Sequence, residues 1–162
     1  MKDVAVIAGK QGRESTVDRE FVTVRIANQQ CGIPVLKVQD VLGPQRVARI
    51  PLAPPEVAGL LNLRGRIVTA IDLRVRLGLP KRAADQPYMS VVVERNDELY
   101  SLIVDTVGDV LRVPQESFER NPPTLDDLWR GFSDGIYRLE SGLLVVFDVD
   151  KLLDFDGKRN AA

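Results

Sequence analysis

The chain has 162 residues, with 22 basic and 23 acidic side chains and 44% hydrophobic content, the balance of an ordinary globular domain. It contains no histidine, which removes the usual general base and metal ligand, and with them Ser-His-Asp, Cys-His and His-zinc sites. A net charge of −1 gives no broad positive field to hold nucleic acid, and the lone Cys31 offers no intrachain disulfide. Folding at this length buries roughly two-thirds of the unfolded surface, so one core or two small fused cores form without a staple. No apolar run approaches the ~20 residues of a membrane span, and residues 4–8 are too short for the apolar stretch of a signal peptide. The expectation is a cytoplasmic binding or adaptor domain with no catalytic residues, no metal and no cofactor.

Residues 1–20, rich in Lys, Gly, Gln, Glu, Ser and Asp, lack sustained periodicity and read as a flexible leader. The folded part is expected over residues 21–154. At 21–27, Val22, Val24 and Ile26 alternate with Thr23 and Arg25, the period of a half-buried strand. Residues 28–30 make a polar turn. Residues 31–42 fit two short strands around a tight corner, because Pro34 and the β-branched residues oppose helix. A proline-punctuated connection follows, with a single helical turn expected at 55–58. Residues 60–63 and 67–71 read as a hairpin reversing at Gly65, and Asp72 as the N-cap of a short helix ended by Gly78. Beyond a basic loop come strands at 88–94, 99–105 and 107–113. Residues 114–134 are expected to hold one helical turn in a long loop. A last hairpin, 136–139 with 143–149, contains L-L-V-V-F, apolar on both faces and therefore central. Asp148 or Asp150 caps a terminal helix, and residues 155–162 form a short tail. Many short strands with turns every 8 to 12 residues indicate two small β-barrels sharing one core.

Few motifs survive inspection. Residues 131–135, G-F-S-D-G, match the nucleophile-elbow string, which works only on a strand-to-helix turn beside a histidine. No phosphate-cradling glycine motif occurs. Arg64, Arg66, Arg74, Arg76, Lys81 and Arg82 crowd one stretch with Asp72 as the only acid, and both a solvated face and a patch for an acidic partner fit. Asp40 and Arg64 are opposite charges embedded in apolar runs, and they would pair if their strands meet.

The stretches G-I-P-V-L-K-V-Q-D-V (32–41), G-L-L-N-L-R-G-R-I-V (59–68), I-D-L-R (71–74), V-D-T-V-G-D-V-L (104–111) and D-V-D-K-L-L (148–153) occur in the order found in the CheW coupling proteins of bacterial chemotaxis, which the chain resembles. The resemblance implies an all-β fold with short helices, two intertwined five-stranded SH3-like barrels sharing a core. It also implies a scaffold, monomeric when free, that links the tips of methyl-accepting chemoreceptors to the histidine kinase CheA. Such a scaffold is recruited to membrane receptor arrays without inserting into the membrane, and it binds no nucleic acid. Carried over by motif, Val35, Val38, Val41, Arg64 and Val110 fall at the receptor-binding groove. Gln45 and Val47 fall at the kinase face, Asp40 pairs with Arg64, and Asn62 and Gly65 shape the turn. Asp40 stands where the family usually has glutamate. The loop at residues 119–124, E-R-N-P-P-T, lacks the family's aromatic that can support a second kinase contact, which implies poor ring assembly.

Overall fold

The computed structural model describes residues 17–155. The first half of the chain supplies β1 (Asp18–Ile26), β2 (Gln29–Pro34), a 3-10 turn (Val35–Lys37), β3 (Val38–Leu42), β4 (Val57–Leu63), β5 (Arg66–Asp72) and α1 (Leu73–Arg76). The second half supplies β6 (Met89–Arg95), β7 (Glu98–Val104), β8 (Thr106–Pro114), a 3-10 turn (Gln115–Ser117), α2 (Asp127–Phe132), β9 (Ser133–Leu139), β10 (Gly142–Phe147) and α3 (Val149–Leu152). Three hairpins reverse on pairs of residues with positive φ: Ala27-Asn28, Arg64-Gly65 and Asn96-Asp97, the conformation that matches the strand twist. Asp72 accepts a hydrogen bond from Arg74 N, and Asp148 from Lys151 N, which starts α1 and α3 as the caps predict.

Several expectations shift. Of the leader, residues 1–16 lie outside the described residues, while residues 18–20 pair with β8 and belong to β1. Of the tail, residues 156–162 lie outside the described residues, and Phe155 packs against the core. The polar turn falls on Ala27-Asn28, with Gln29 and Gln30 already in β2. No helix forms at 55–58: Val57 N donates to Pro54 O at 2.9 Å in a single reverse turn, and Val57 then opens β4 by pairing with Ile71. Residues 114–134 hold both a 3-10 turn and α2, whose start is capped by Asp126 accepting from Leu128 N.

The two sheets run β8-β1-β2-β10-β9 and β3-β6-β7-β5-β4. Replacing each strand by its counterpart five places along converts one order into the other. Each half therefore gives two strands to one sheet and three to the other, which is what intertwines them. Parallel pairs β2 with β10 and β5 with β7 stitch the halves together. Each sheet curls, and a single bridge from the segment after one edge strand reaches the other edge: Ala48 to Leu60, and Glu119 to Ile136. The expected barrels are thus curled sheets drawn together by one bridge rather than fully laddered rings.

The repeat is also written in the residues. V-Q-D-V-L at 38–42 returns as V-G-D-V-L at 107–111, and Gly59 and Asp72 return at the same spacing as Gly135 and Asp148. Both glycines sit at the bridges with φ of +148° and +151°. A Cβ at 59 would lie 2.2 Å from Ala48 O, and one at 135 would lie 2.6 Å from Glu119 O, so close backbone approach demands glycine. Three cores follow. Phe21, Leu111, Tyr137, Leu144 and Val146 fill one sheet, and Leu61, Val68, Ala70, Val92 and Ile103 fill the other. Between them Val22, Val24, Ile26, Val91, Val93, Val145 and Phe147 form the shared core. Residues 144–147 of β10 are buried on both faces because Leu144 and Val146 point one way and Val145 and Phe147 the other.

Candidate functional site

β3 and β8 are counterparts, and each is an edge of its own sheet, so each leaves one row of backbone groups unpaired and one row of side chains open. Val38 and Val107 occupy equivalent places and half-bury themselves against the shared core. Three residues further on, Val41 is 38% exposed and Val110 is 49% exposed. Val35 is half-buried in the 3-10 corner between β2 and β3, and it shares with Phe21, Pro34 and Arg112 a groove of about 540 Å³. The same groove includes Leu36, which is 95% exposed. Sequence reasoning passed over Leu36. The available signal was its position beside Val35 at the corner, where the chain turns and the second apolar side chain has no core to enter. Val110 lines a smaller recess of about 200 Å³ with Thr23, Arg25 and Asp109. Val35 and Val110 thus line separate recesses of the first sheet, while Val38 and Val41 lie on the edge strand of the second.

Asp40 and Arg64 do meet, at 2.9 Å between Oδ2 and Nη1. The pair sits at the surface, however, with the arginine side chain 74% and the aspartate 26% exposed, so it is worth about 0–1 kcal/mol. The carboxylate has a second partner, accepting a 2.9 Å hydrogen bond from Val41 N. Asn62 Oδ1 accepts from Gly65 N at 3.0 Å and fixes the hairpin that presents Arg64. On the other side of β3, Gln45 is exposed and its carbonyl accepts from the Tyr88 hydroxyl, while Val47 packs half-buried against the second sheet's core.

The basic stretch does not form one patch. Arg74 turns inward and makes a two-pronged pair with Asp105 at 2.9 and 2.6 Å, and Asp105 also accepts from Ala27 N at 2.8 Å. The Arg74 hydrogen bond holds the Asp105 carboxyl below its ordinary range, and Asp105 in turn raises the guanidinium. Arg76 is buried. It donates to Leu152 O at 2.8 Å and to Glu56 at 3.2 Å, under the rings of Phe132 and Phe155. Ser133 and Cys31 are structural in their contacts. Ser133 is buried, donates to Asn121 Oδ1 at 2.8 Å and accepts from Gly135 N, as befits the start of a strand. Cys31 is buried, and desolvation pushes its thiol far above the ordinary range, away from the reactive thiolate. Among the described residues no group of three or more His, Cys, Asp or Glu side chains could hold a metal ion, and no helix is long and apolar enough to cross a membrane.

Two interleaved sheets with apolar side chains open along both unpaired edges define a doubled β module whose distinctive features lie on its surfaces. Residues 20–156 match the family model described as the CheW-like domain. The chain is 33% identical over 138 residues to Chemotaxis protein CheW of Klebsiella aerogenes, covering 85% of this chain and 83% of that one. It is 30% identical over 112 residues to Protein PilI of Pseudomonas aeruginosa, covering 69% and 63%. The crystal structure of the scaffolding protein TtCheW from Thermoanaerobacter tengcongensis aligns with a TM-score of 0.77 and 28% identity over 87% of this chain and 96% of that one. The chain belongs to the CheW-like family, and it is a chemotaxis scaffold of that kind.

Proposed function

We propose that this scaffold is a non-catalytic adaptor coupling the cytoplasmic tips of methyl-accepting chemoreceptors to the histidine kinase CheA, working in the cytoplasm at membrane receptor arrays and monomeric when free. The observation that carries the reading is the pair of open apolar edges, Val41 on β3 and Val110 on β8, flanked by the Leu36 corner. An amphipathic helix docks by placing a few apolar anchors on such a floor, and exposed apolar side chains on a folded domain ordinarily mark a partner. In this reading Val35, Val38, Val41 and Val110 supply the receptor-facing surface, and Arg64, held out by the hairpin and steadied by Asp40, supplies a rim charge that tunes rate and salt dependence. Gln45 and Val47, on the connection leaving β3, face the kinase.

The test is co-sedimentation with receptor-bearing vesicles alongside capture by CheA. Val110→Asp should remove receptor binding, because a carboxylate would be desolvated against apolar surface, and should leave melting and CheA capture unchanged. Val38→Asp is a poorer probe, since Val38 packs on the shared core and its loss also costs stability. Receptor binding by Val110→Asp at wild-type strength would sink the assignment. A second reading, a paralogue scaffolding a chemosensory kinase system for type IV pili or second-messenger control, draws on the likeness to Protein PilI. Capture with the two kinase sets in parallel separates them.

A further inference from the structure

Within the basic stretch Arg74 and Arg76 pair inward and Arg64 pairs with Asp40, while Lys81 and Arg82 line one recess, to which the fold brings a third cation from elsewhere in the chain. Arg49, on the connection between β3 and β4, lines with Lys81 and Arg82 a recess of about 380 Å³. Ile50 and Pro54 form part of its apolar wall, and Asp72 is its one acidic residue. Asp72 is already engaged, since its Oδ1 accepts from Arg74 N at 3.0 Å as the cap of α1. None of Arg49, Lys81 and Arg82 has a carboxylate within ion-pairing distance among the described residues.

Arg82 adds a second, independent observation. Its guanidinium lies over the Tyr88 ring at 4.4 Å, so the side chain is held in place, and its Nη1 is shut off from solvent with no hydrogen-bond partner. Tyr88 is fixed in turn by its hydroxyl, which donates to Gln45 O at 3.2 Å. The recess therefore combines an immobilised guanidinium, two further cations and an apolar wall.

We propose that this recess binds an acidic peptide segment of a partner protein, with a glutamate or aspartate carboxylate seated between Arg82 and Arg49 and a neighbouring apolar side chain against Ile50 and Pro54. Charge complementarity selects the carboxylate. The apolar wall selects a peptide over a free oxyanion, because inorganic phosphate leaves that wall bare. Arginine suits the role, since its planar fork takes a carboxylate by two donors at once. The site lies apart from Val35, Val38, Val41 and Val110, and it stands whether or not those residues form the receptor surface.

The experiment follows the arginine Nε–H signals of the full chain by NMR during titration with an acetylated, amidated peptide Gly-Leu-Glu-Glu-Leu-Gly. The matching Gln-Gln peptide and inorganic phosphate serve as separate arms. Saturable shifts of the Arg82 and Arg49 signals by the Glu peptide, weakening at least tenfold between about 20 and 300 mM salt, are expected. The Gln peptide should give no saturable shift. Arg49→Gln and, separately, Lys81→Gln should each weaken the Glu peptide several-fold with melting unchanged. These variants keep the test clear of Arg82, whose loss would also disturb Tyr88. No saturable shift with the Glu peptide, equal binding of both peptides, equal binding by wild type and Arg49→Gln, or saturation by phosphate as tight as by peptide would each overturn the proposal.

Discussion

The two halves of the chain share a backbone plan and differ in what they place on it. At the position where the first half has Glu56 and Arg76, the second has Phe132 and Leu152, and the charged pair packs against its own apolar counterparts: Arg76 lies over Phe132 and donates to Leu152 O. At the corner between the second and third strands of each half the assignment is reversed. The second half has Asp105, locked to Arg74 and Ala27 N, and the first half has Leu36, which touches solvent on nearly every side. Where the repeat is internal it has been filled with interactions, and where it reaches the edge of β3 an apolar side chain has been left open. The difference teaches which copy of a duplicated feature holds the fold and which is available to a partner.

The hardest way to break the comparison is Arg76→Ala. It leaves Glu56 without its buried guanidinium and Leu152 O without its donor, and should cost about 3–5 kcal/mol in urea unfolding. Rebuilding the first half in the image of the second, Glu56→Phe with Arg76→Leu, should return stability to within about 2 kcal/mol of wild type, since a buried ion pair is replaceable by apolar side chains of similar volume. A double variant as damaged as the single would show that the halves are not interchangeable there.

The bridge glycines come next. Gly59→Ala drives a Cβ into the Ala48 carbonyl, which cannot move without breaking the bridge, and should cost about 2–4 kcal/mol. Gly135→Ala meets the Glu119 carbonyl at 2.6 Å as well as the tip of the packed Phe118 ring, and should cost a similar amount by thermal melting of the two variants side by side. A clearly milder effect at one of the two glycines would mean that the two bridges are not equivalent.

A smaller effect is expected at Asp105. Its carboxyl titrates below the unfolded value of about 3.9 because Arg74 stabilises the charged form. Its contribution is therefore fully present above that value and is lost as pH falls through the folded one. The stability gap between wild type and Asp105→Asn should stay level from pH 7 to about 5 and close below about pH 4. A double-mutant cycle with Arg74→Gln should give a coupling of about 1–3 kcal/mol. The smallest effect belongs to Arg64→Ala, about 0–1 kcal/mol, because the pair with Asp40 is exposed.

Much of this architecture is legible in the residues. Alternation at Val22, Val24 and Ile26, the two-sided apolar run of β10 and the caps Asp72 and Asp148 each express a local rule, and each element formed near its expected place. The helical turn at 55–58 failed because Pro55 suits a helix start and a strand approach equally, and only the pairing of Val57 with Ile71 decides between them. Asp40 with Arg64 was visible as opposite charges, but their exposure depends on the edge position of β3, which no local pattern reveals. Arg74 and Arg76 looked alike to Lys81 and Arg82 in sequence. Burial separates them, and burial is set by residues as distant as Asp105 and Leu152. The repeat itself is carried in the sequence by V-Q-D-V-L and V-G-D-V-L, and it becomes evident once Val38 and Val107 are seen in matching places on two sheets.

The most direct test of the adaptor account is kinase activity in a reconstituted mixture of receptor-bearing vesicles, CheA and this chain. Wild type should raise receptor-controlled autophosphorylation of CheA well above the mixture lacking it, and Val110→Asp, folded and still captured by CheA, should fail to do so. Equal kinase activation by Val110→Asp and wild type, or none by either, would contradict the account.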